Sequence, residues 1–312
     1  MESVAHRDRH HHREQRAGKM IGDTVAADDH SQRAQGDDHA GPMGMRRLVR
    51  FLPIVFAAIA VGWVYLTSET FVNPETGRKV HVGLSEAQEE QLGLQSFREV
   101  VSHSSLVQSG PAYDVVRRVA SRLVGVVDTD SERYQWQVAV VQNPAQNAFC
   151  LPGGKIVVYT GILPIAQNEA GLATVLGHEI AHATSRHGAQ RVFQQNAVQI
   201  AMMGIQGSMS DLDPQAQRQL LGMLGAGAQY GVLLPFSRKH ELEADQIGLT
   251  YMARAGYDPR ESVAFWKRMM AASQGAKPPE FMSTHPADET RINQLEQLMP
   301  AALEIYQKSV QQ

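Results

Sequence analysis

Apolar residues recur at helical intervals along much of this chain. Leu172, Val175, Leu176 and Ile180 share one helical face between Asn168, a capping residue type, and Gly188, a type that closes helices, so a helix is predicted there. Val115, Val116, Val119, Leu123 and Val124 form the stripe of another, and Ser85-Glu86-Ala87-Gln88-Glu89 reads as a helix start. Further helices are expected from Ser237 to about Ala255, ahead of Gly256; from Asp258-Pro259-Arg260-Glu261 to about Ala272; and from Pro286 to about Met299. Between the last two, Gly275 to Pro279 reads as a loop. The period shortens to two at Trp136, Val138 and Val140, and Lys155-Ile156-Val157-Val158-Tyr159 is a second β-rich run preceded by the loop residues Pro152-Gly153-Gly154. These elements predict an α+β chain, mainly α, with one small sheet beside the helix after Asn168.

Patterning also divides the N-terminal part. Residues 1–45 are rich in His, Arg, Asp, Gly and Gln, hold nearly half of the chain's 13 histidines, and have almost no apolar clustering, so a disordered tail is expected. It reads as a solvated linker, a tag or an over-extended gene start, with Met43 or Met45 as the alternative start. From Phe51 to Leu66 the chain is apolar and uncharged, interrupted near its beginning by Pro53. Residues 46–67 are therefore expected to be a membrane anchor or a signal sequence. The run is short for a bilayer span of about 20 residues, but Trp63 and Tyr65 suit an interface, and no convincing cleavage site precedes Ser68-Glu69. Arg46, Arg47 and Arg50 should stay cytoplasmic, which predicts a single-pass protein of the bacterial inner membrane with residues 68–312 in the periplasm. A soluble periplasmic protein after signal cleavage is the alternative.

Residues 192–234 are rich in Gly, Met and Gln. Ala201-Met202-Met203-Gly204 and Leu220 to Leu234 suggest a helical hairpin, and Gly204 with Gly207, or Gly227 with Gly231, are spaced as in close helix contacts. Neither arm is expected to span a bilayer; interior packing and a mobile lid or membrane-surface element are the two readings.

Chemistry enters with Gly177-His178-Glu179-Ile180-Ala181-His182. Residues four apart share a helical face, so His178 and His182 can present imidazoles to one ion while Glu179 faces its water, as in a hydrolytic zinc site. Such a site needs a third protein ligand and a position open to water. His187 is expected to turn off the ligand face, and Ser185 and Gly188 stand where the metzincin pattern requires Gly and His. Glu241 is the better candidate, although on spacing alone an acidic solvated face near the N-terminus of that helix is an equal alternative. Asp245, four residues on, would accept the second N–H of a liganding histidine. Glu243 is expected to face solvent. Cys150, the single cysteine, reads as a small buried hydrophobe rather than a nucleophile.

Four blocks in order, Asn147-Ala148-Phe149-Cys150-Leu151-Pro152-Gly153-Gly154, His178 to His182, Glu241-Leu242-Glu243-Ala244-Asp245 and Ser283-Thr284-His285-Pro286, make the chain similar to the gluzincin-type zinc metallopeptidase family of HtpX, the CAAX prenyl endopeptidase and the β-barrel assembly-enhancing protease. The resemblance implies a zincin-like domain, one Zn2+ on His178, His182 and Glu241, and Glu179 as general base. It also implies His285 near the metal, either occupying the open position or stabilising the transition state; on the sequence alone its imidazole has a capping role as the alternative. Arg291 either pairs with a carboxylate of the site or faces solvent.

The expected activity is a zinc-dependent endopeptidase acting on unfolded, misfolded or unassembled envelope and membrane proteins by metal-activated water attack. Substrate would bind as an extended strand at a sheet edge, with Gly153, Gly154, Lys155 and Ile156 as candidate substrate-binding residues. The alternative is a chaperone-like binding protein with a structural zinc. A prenyl-peptide specificity would need more membrane spans. Family members that carry a tandem helical repeat for partner docking differ here, which puts docking to an assembly machine in doubt. A net charge of −3 and the lack of a basic aromatic cluster exclude nucleic acid as an expected partner.

Overall fold

The computed structural model describes residues 49–127, 134–275 and 279–311, without the side chains of Pro235 and Phe236. The His-rich tail, Arg46 and Arg47 lie outside the described residues.

The apolar run after Arg50 is helical, α1 (Leu52–Thr67), with Pro53 in its first turn and no buried residue. An antiparallel hairpin that the sequence reading missed follows, β1 (Glu69–Val72) and β2 (Lys79–Val82), turning through Asn73-Pro74-Glu75-Thr76-Gly77. Then comes α2 (Glu86–His103), which starts at a full capping box in which Ser85 and Gln88 satisfy each other's backbone N–H groups. α3 (Pro111–Val124) buries Val116, Val119, Ala120 and Leu123, the faces its spacing predicted.

β3 (Gln137–Val141), β4 (Ala148–Leu151) and β5 (Lys155–Tyr159) form one sheet in the order β3-β5-β4. β5 runs parallel to β3 and antiparallel to β4, with Ile156 opposite both Val138 and Cys150. The central strand is thus β5, and the strand at the open edge is β4, an element the sequence reading did not anticipate as a strand. Gly153 and Gly154 make the β4–β5 turn at φ +73° and +82°, conformations that side chains disfavour.

α4 (Glu169–Thr184), capped by Asn168, lies against β4 and runs through the core with Leu172, Val175, Leu176 and Ile180 fully buried. It ends earlier than the expected Gly188. Arg186 adopts a left-handed φ of +53° and turns the chain into α5 (His187–Ser208). The strain at Arg186 is offset by its buried guanidinium, which donates to Glu89 at 2.5 Å, Glu69 at 2.6 Å and the Leu84 carbonyl at 2.7 Å.

α5 packs along α1. A Cβ at Gly204 would lie 2.3 Å from the Ala57 Cβ, and one at Gly207 2.9 Å from the Pro53 Cβ, so both glycines permit a close helix crossing, as their spacing suggested. Gly227 and Gly231 have no such neighbour within 4 Å. α6 (Pro214–Ala228), a π-helical turn (Gln229–Leu233) and α7 (Leu234–Arg254) run on as one 41-residue helix. α6 buries none of its residues, which corrects the interior-packing reading. The continuous helix also corrects the expectation that this region is too interrupted to span: its most apolar 18 residues, none of them buried, have a mean hydropathy of 1.3, enough by length and composition alone to cross a membrane.

α7 crosses α4 at glycine contacts. A Cβ on Gly248 would sit 2.8 Å from the His178 backbone nitrogen, and one on Gly177 3.0 Å from the Gly248 carbonyl oxygen. Two helices meet there nearly backbone to backbone. α8 (Arg260–Ser273) and α9 (Glu289–Ser309) close the core, with Phe265, Trp266, Met269 and Leu295 buried. α9 starts at Glu289 under an Asp288 cap rather than at Pro286, and continues past Met299 to Ser309 despite Pro300. Part of the Gly275–Pro279 loop, residues 276–278, lies outside the described residues.

Candidate metal centre

The α4–α7 crossing brings together side chains that are far apart in the sequence. Nε2 of His178 lies 3.1 Å from Nε2 of His182, one turn on, and Glu241 of α7 approaches them at 3.2 and 3.4 Å. His285 follows a single helical turn, Phe281–Thr284, and does not cap α9. Its Nδ1 lies 3.2 Å from both Glu241 oxygens and 3.3 Å from His178 Nε2. One donor atom from each of the four residues lies within 4.8 Å of the others. A tetrahedron with bonds of about 2.0–2.1 Å has edges of about 3.3 Å, so this set has the size of a four-coordinate zinc site. A second observation supports the fit: Glu179 Oε1 is buried without a hydrogen-bond partner and faces the cluster, 3.3 Å from His285 Nε2. Its other oxygen, Oε2, accepts the Cys150 N–H of β4 at 3.3 Å.

His178 is oriented from behind. Asp245 Oδ1 lies 3.0 Å from its Nδ1, and Arg291 donates to both Asp245 oxygens at 2.6 and 2.7 Å while its guanidinium lies 3.8 Å over the Trp266 ring. Arg291 is buried, which decides between the two readings of that residue. Its Nη1 also reaches Glu241 at 3.3 Å.

Glu243, expected at the surface, is largely buried instead. It accepts from Asn73 at 3.0 Å, Thr76 at 2.9 Å and Arg78 at 3.1 Å, all on the N-terminal hairpin, and meets His187 Nε2 at 3.0 Å. The correction has a physical reason. The hairpin, whose Asn-Pro-Glu-Thr-Gly turn was the overlooked signal, covers this side of α7. His187 stands outside the four-residue cluster, but its Nδ1 lies 2.9 Å from Nδ1 of His182 because the chain reverses at Arg186.

Charge follows this packing. Burial alone would raise the Glu241 carboxyl, but hydrogen bonds with His178, His182 and His285 hold it well below the usual carboxylate range. Burial disfavours the charged form of His178, yet Asp245 and Glu241 raise it to about 9 in the metal-free protein. Burial pushes Glu179 upward. Glu243 is lowered to about 2 by His187 and Arg78 against its burial. The Cys150 thiol is raised by burial and by Glu179, which leaves it a poor nucleophile.

The candidate substrate residues divide. Gly153 and Gly154 lie in the β4–β5 turn. Lys155 and Ile156 are fully buried in the central strand, and the Lys155 amine donates to the carbonyls of Gln135 and Gly153. With neighbours on both sides, β5 has no free main-chain edge, which corrects the placement of the exposed edge there. Asn147 accepts from Tyr159, so by alternation Ala148 and Cys150 turn their peptide groups to the opposite side, where among the described residues no strand pairs.

A His-Glu-x-x-His helix crossed by a glutamate-bearing helix defines a zinc-dependent metalloendopeptidase. The chain belongs to peptidase family M48, whose model matches residues 113–299. It is 37% identical over 257 residues to the mitochondrial metalloendopeptidase OMA1 of Schizosaccharomyces pombe, covering 81% of this chain and 73% of that protein. It is 34% identical to the metalloendopeptidase OMA1 of Danio rerio (69% of this chain, 46% of that protein) and 31% identical to the β-barrel assembly-enhancing protease of Yersinia pestis (70% and 46%). The chain thus spans about half the length of the latter two.

Proposed function

We propose that this protein is a membrane-tethered endopeptidase of unfolded, misfolded or unassembled envelope proteins, with Zn2+ held by His178, His182 and Glu241. Zinc there would supply Lewis acidity, polarising the peptide carbonyl and making water acidic enough for a neighbouring carboxylate to deprotonate. Glu179 is the general base: its Oε1 is buried and faces the cluster with no hydrogen-bond partner among the described residues, and Oε2 is tethered to β4 so that the carboxylate keeps its aim. The same carboxyl then protonates the leaving amine. Asp245, fixed by Arg291, holds His178 in the tautomer that leaves Nε2 bare.

Substrate adds as a strand along β4 through the outward N–H and carbonyl of Ala148 and the carbonyl of Cys150, the Cys150 N–H being given to Glu179. Backbone pairing of this kind selects extended chain over sequence, which suits polypeptides that have lost or not reached their fold. His285 would be a further residue able to hold the ion in the resting enzyme, and its withdrawal would make room for substrate. The presence of its Nδ1 in the cluster, with Nε2 against Glu179, supports this reading. α1 tethers the protein to the membrane, with the endopeptidase in the bacterial periplasm.

The observation that carries the proposal is Glu179 Oε1, a buried carboxylate oxygen with no hydrogen-bond partner among the described residues, set beside four metal-type donors with His285 Nε2 at 3.3 Å. Glu179→Gln is expected to keep zinc content and fold while abolishing casein cleavage; undiminished cleavage removes Glu179 as the base. Chelation separates the alternative, since a binding module with structural zinc loses its fold where an enzyme loses turnover.

A further inference from the structure

Behind His182, on the side away from the cluster, buried side chains form a continuous hydrogen-bonded chain. His182 Nδ1 lies 2.9 Å from His187 Nδ1, and His187 Nε2 lies 3.0 Å from Glu243 Oε2. His187 has little freedom to move. The His240 ring stacks on it at 4.0 Å and 13°, and His240 Nε2 lies 3.0 Å from Gln190 Oε1, which also accepts from Arg78 at 3.1 Å. Glu243 is fixed in turn by Asn73, Thr76 and Arg78 of the hairpin.

Two ring nitrogens facing each other at this distance need one proton between them. If His182 offers Nε2 to zinc, its proton lies on Nδ1, and His187 must accept it on a bare Nδ1. The proton of His187 then lies on Nε2 and is donated to Glu243. Each tautomer fixes the next, and the direction runs outward from the metal to a carboxylate.

We infer that His187 and Glu243 are positioning residues of the metal centre: His187 accepts the Nδ1 proton of His182 and Glu243 anchors His187, so the N-terminal hairpin sets the orientation of a zinc ligand. The inference rests on His182 as a ligand. It gives the site two supports of matching design, Arg291-Asp245 behind His178 and Glu243-His187 behind His182, one from the C-terminal helix and one from the hairpin that follows α1. The hydrogen bond between two imidazoles takes the place that a carboxylate or carbonyl fills behind most liganding histidines.

The test uses the full chain, zinc competition with a chromophoric chelator, and long-range 1H–15N spectra of the zinc-loaded protein. His187→Phe is expected to weaken zinc binding by roughly tenfold to a hundredfold, the usual cost of losing such a partner. His187→Gln, whose carbonyl can accept from His182 and whose amide can donate to Glu243, should restore most of the affinity, which a merely space-filling role would not predict. In the wild-type spectrum His187 should carry its proton on Nε2 and leave Nδ1 bare. A folded His187→Phe that binds zinc like wild type overturns the inference, as does a proton on His187 Nδ1; the spectrum decides should the phenylalanine variant fail to fold. Zinc retained by His182→Ala would instead sink the ligand assignment itself.

Discussion

Single side chains at the centre work in pairs, one group facing the cluster and one holding it from behind. His178 is raised to about 9 in the metal-free protein because two buried carboxylates face it. Zinc must displace that proton, so binding should release it and tighten as pH rises, by about tenfold per unit from pH 7 toward 9, then level off. Chelator competition across that range checks the sign; a flat profile shows that His178 carries no such proton. His285 offers a second measurement. With the ring removed in His285→Ala, the proposed latent contact is lost, and basal casein cleavage should rise severalfold while zinc content is kept; unchanged or lower activity argues against a latent resting state. His285 was legible as a candidate because its motif stands in the sequence, but which of its roles applies was not, since spacing says nothing about a side chain 44 residues from Glu241 and 107 from His178.

Among elements, the decisive contact is the α4–α7 crossing. Gly177 and Gly248 let the two backbones approach so closely that Glu241 and Asp245 reach both faces of His178. Gly248→Ala would place a Cβ 2.8 Å from the His178 nitrogen. Separating the helices should cost about 1–3 kcal/mol of stability, as overpacking does, and weaken zinc binding alongside. Gly222→Ala in α6, with nothing within 4 Å, is the control and should be neutral or slightly stabilising. Thermal unfolding and zinc competition on both variants separate a local packing effect from a general glycine effect. The helices themselves were readable from apolar spacing, as at Leu172 to Ile180. β4 was not, because four consecutive apolar residues give no period, and its strand state depends on pairing with β5.

Over the molecule as a whole, apolar surface collects where the core does not. Phe56, Trp63 and Leu66 of α1 are 66%, 67% and 81% exposed, and Met223, Tyr230 and Val232 extend the apolar surface onto α6 and the π-helical turn. Water is a poor solvent for this much exposed apolar area, and a bilayer would cover it. The full chain should float with liposomes at high salt, and Phe56→Asp with Ile59→Asp should reduce flotation; a wild-type chain that stays monodisperse without detergent contradicts the tether. The hairpin carries the consequence inward. It joins α1 to Glu243 through Arg78, so an element next to the proposed tether also braces the centre.

Local patterning was enough for the helices and for the His178-Glu179-His182 face, because four-residue spacing fixes which side chains point together along one helix, while Glu241 and Asp245 were singled out only with the family resemblance beside their spacing. Folding in three dimensions settled the rest. Glu243 looked like a solvated helix position until a hairpin more than 160 residues earlier covered it; His187 looked misdirected until the left-handed turn at Arg186 folded it back; Lys155 and Ile156 looked available until pairing on both sides made β5 central. In each case the missing information was a long-range neighbour, and burial, hydrogen-bond partners and strand order are properties of such neighbours rather than of the segment itself.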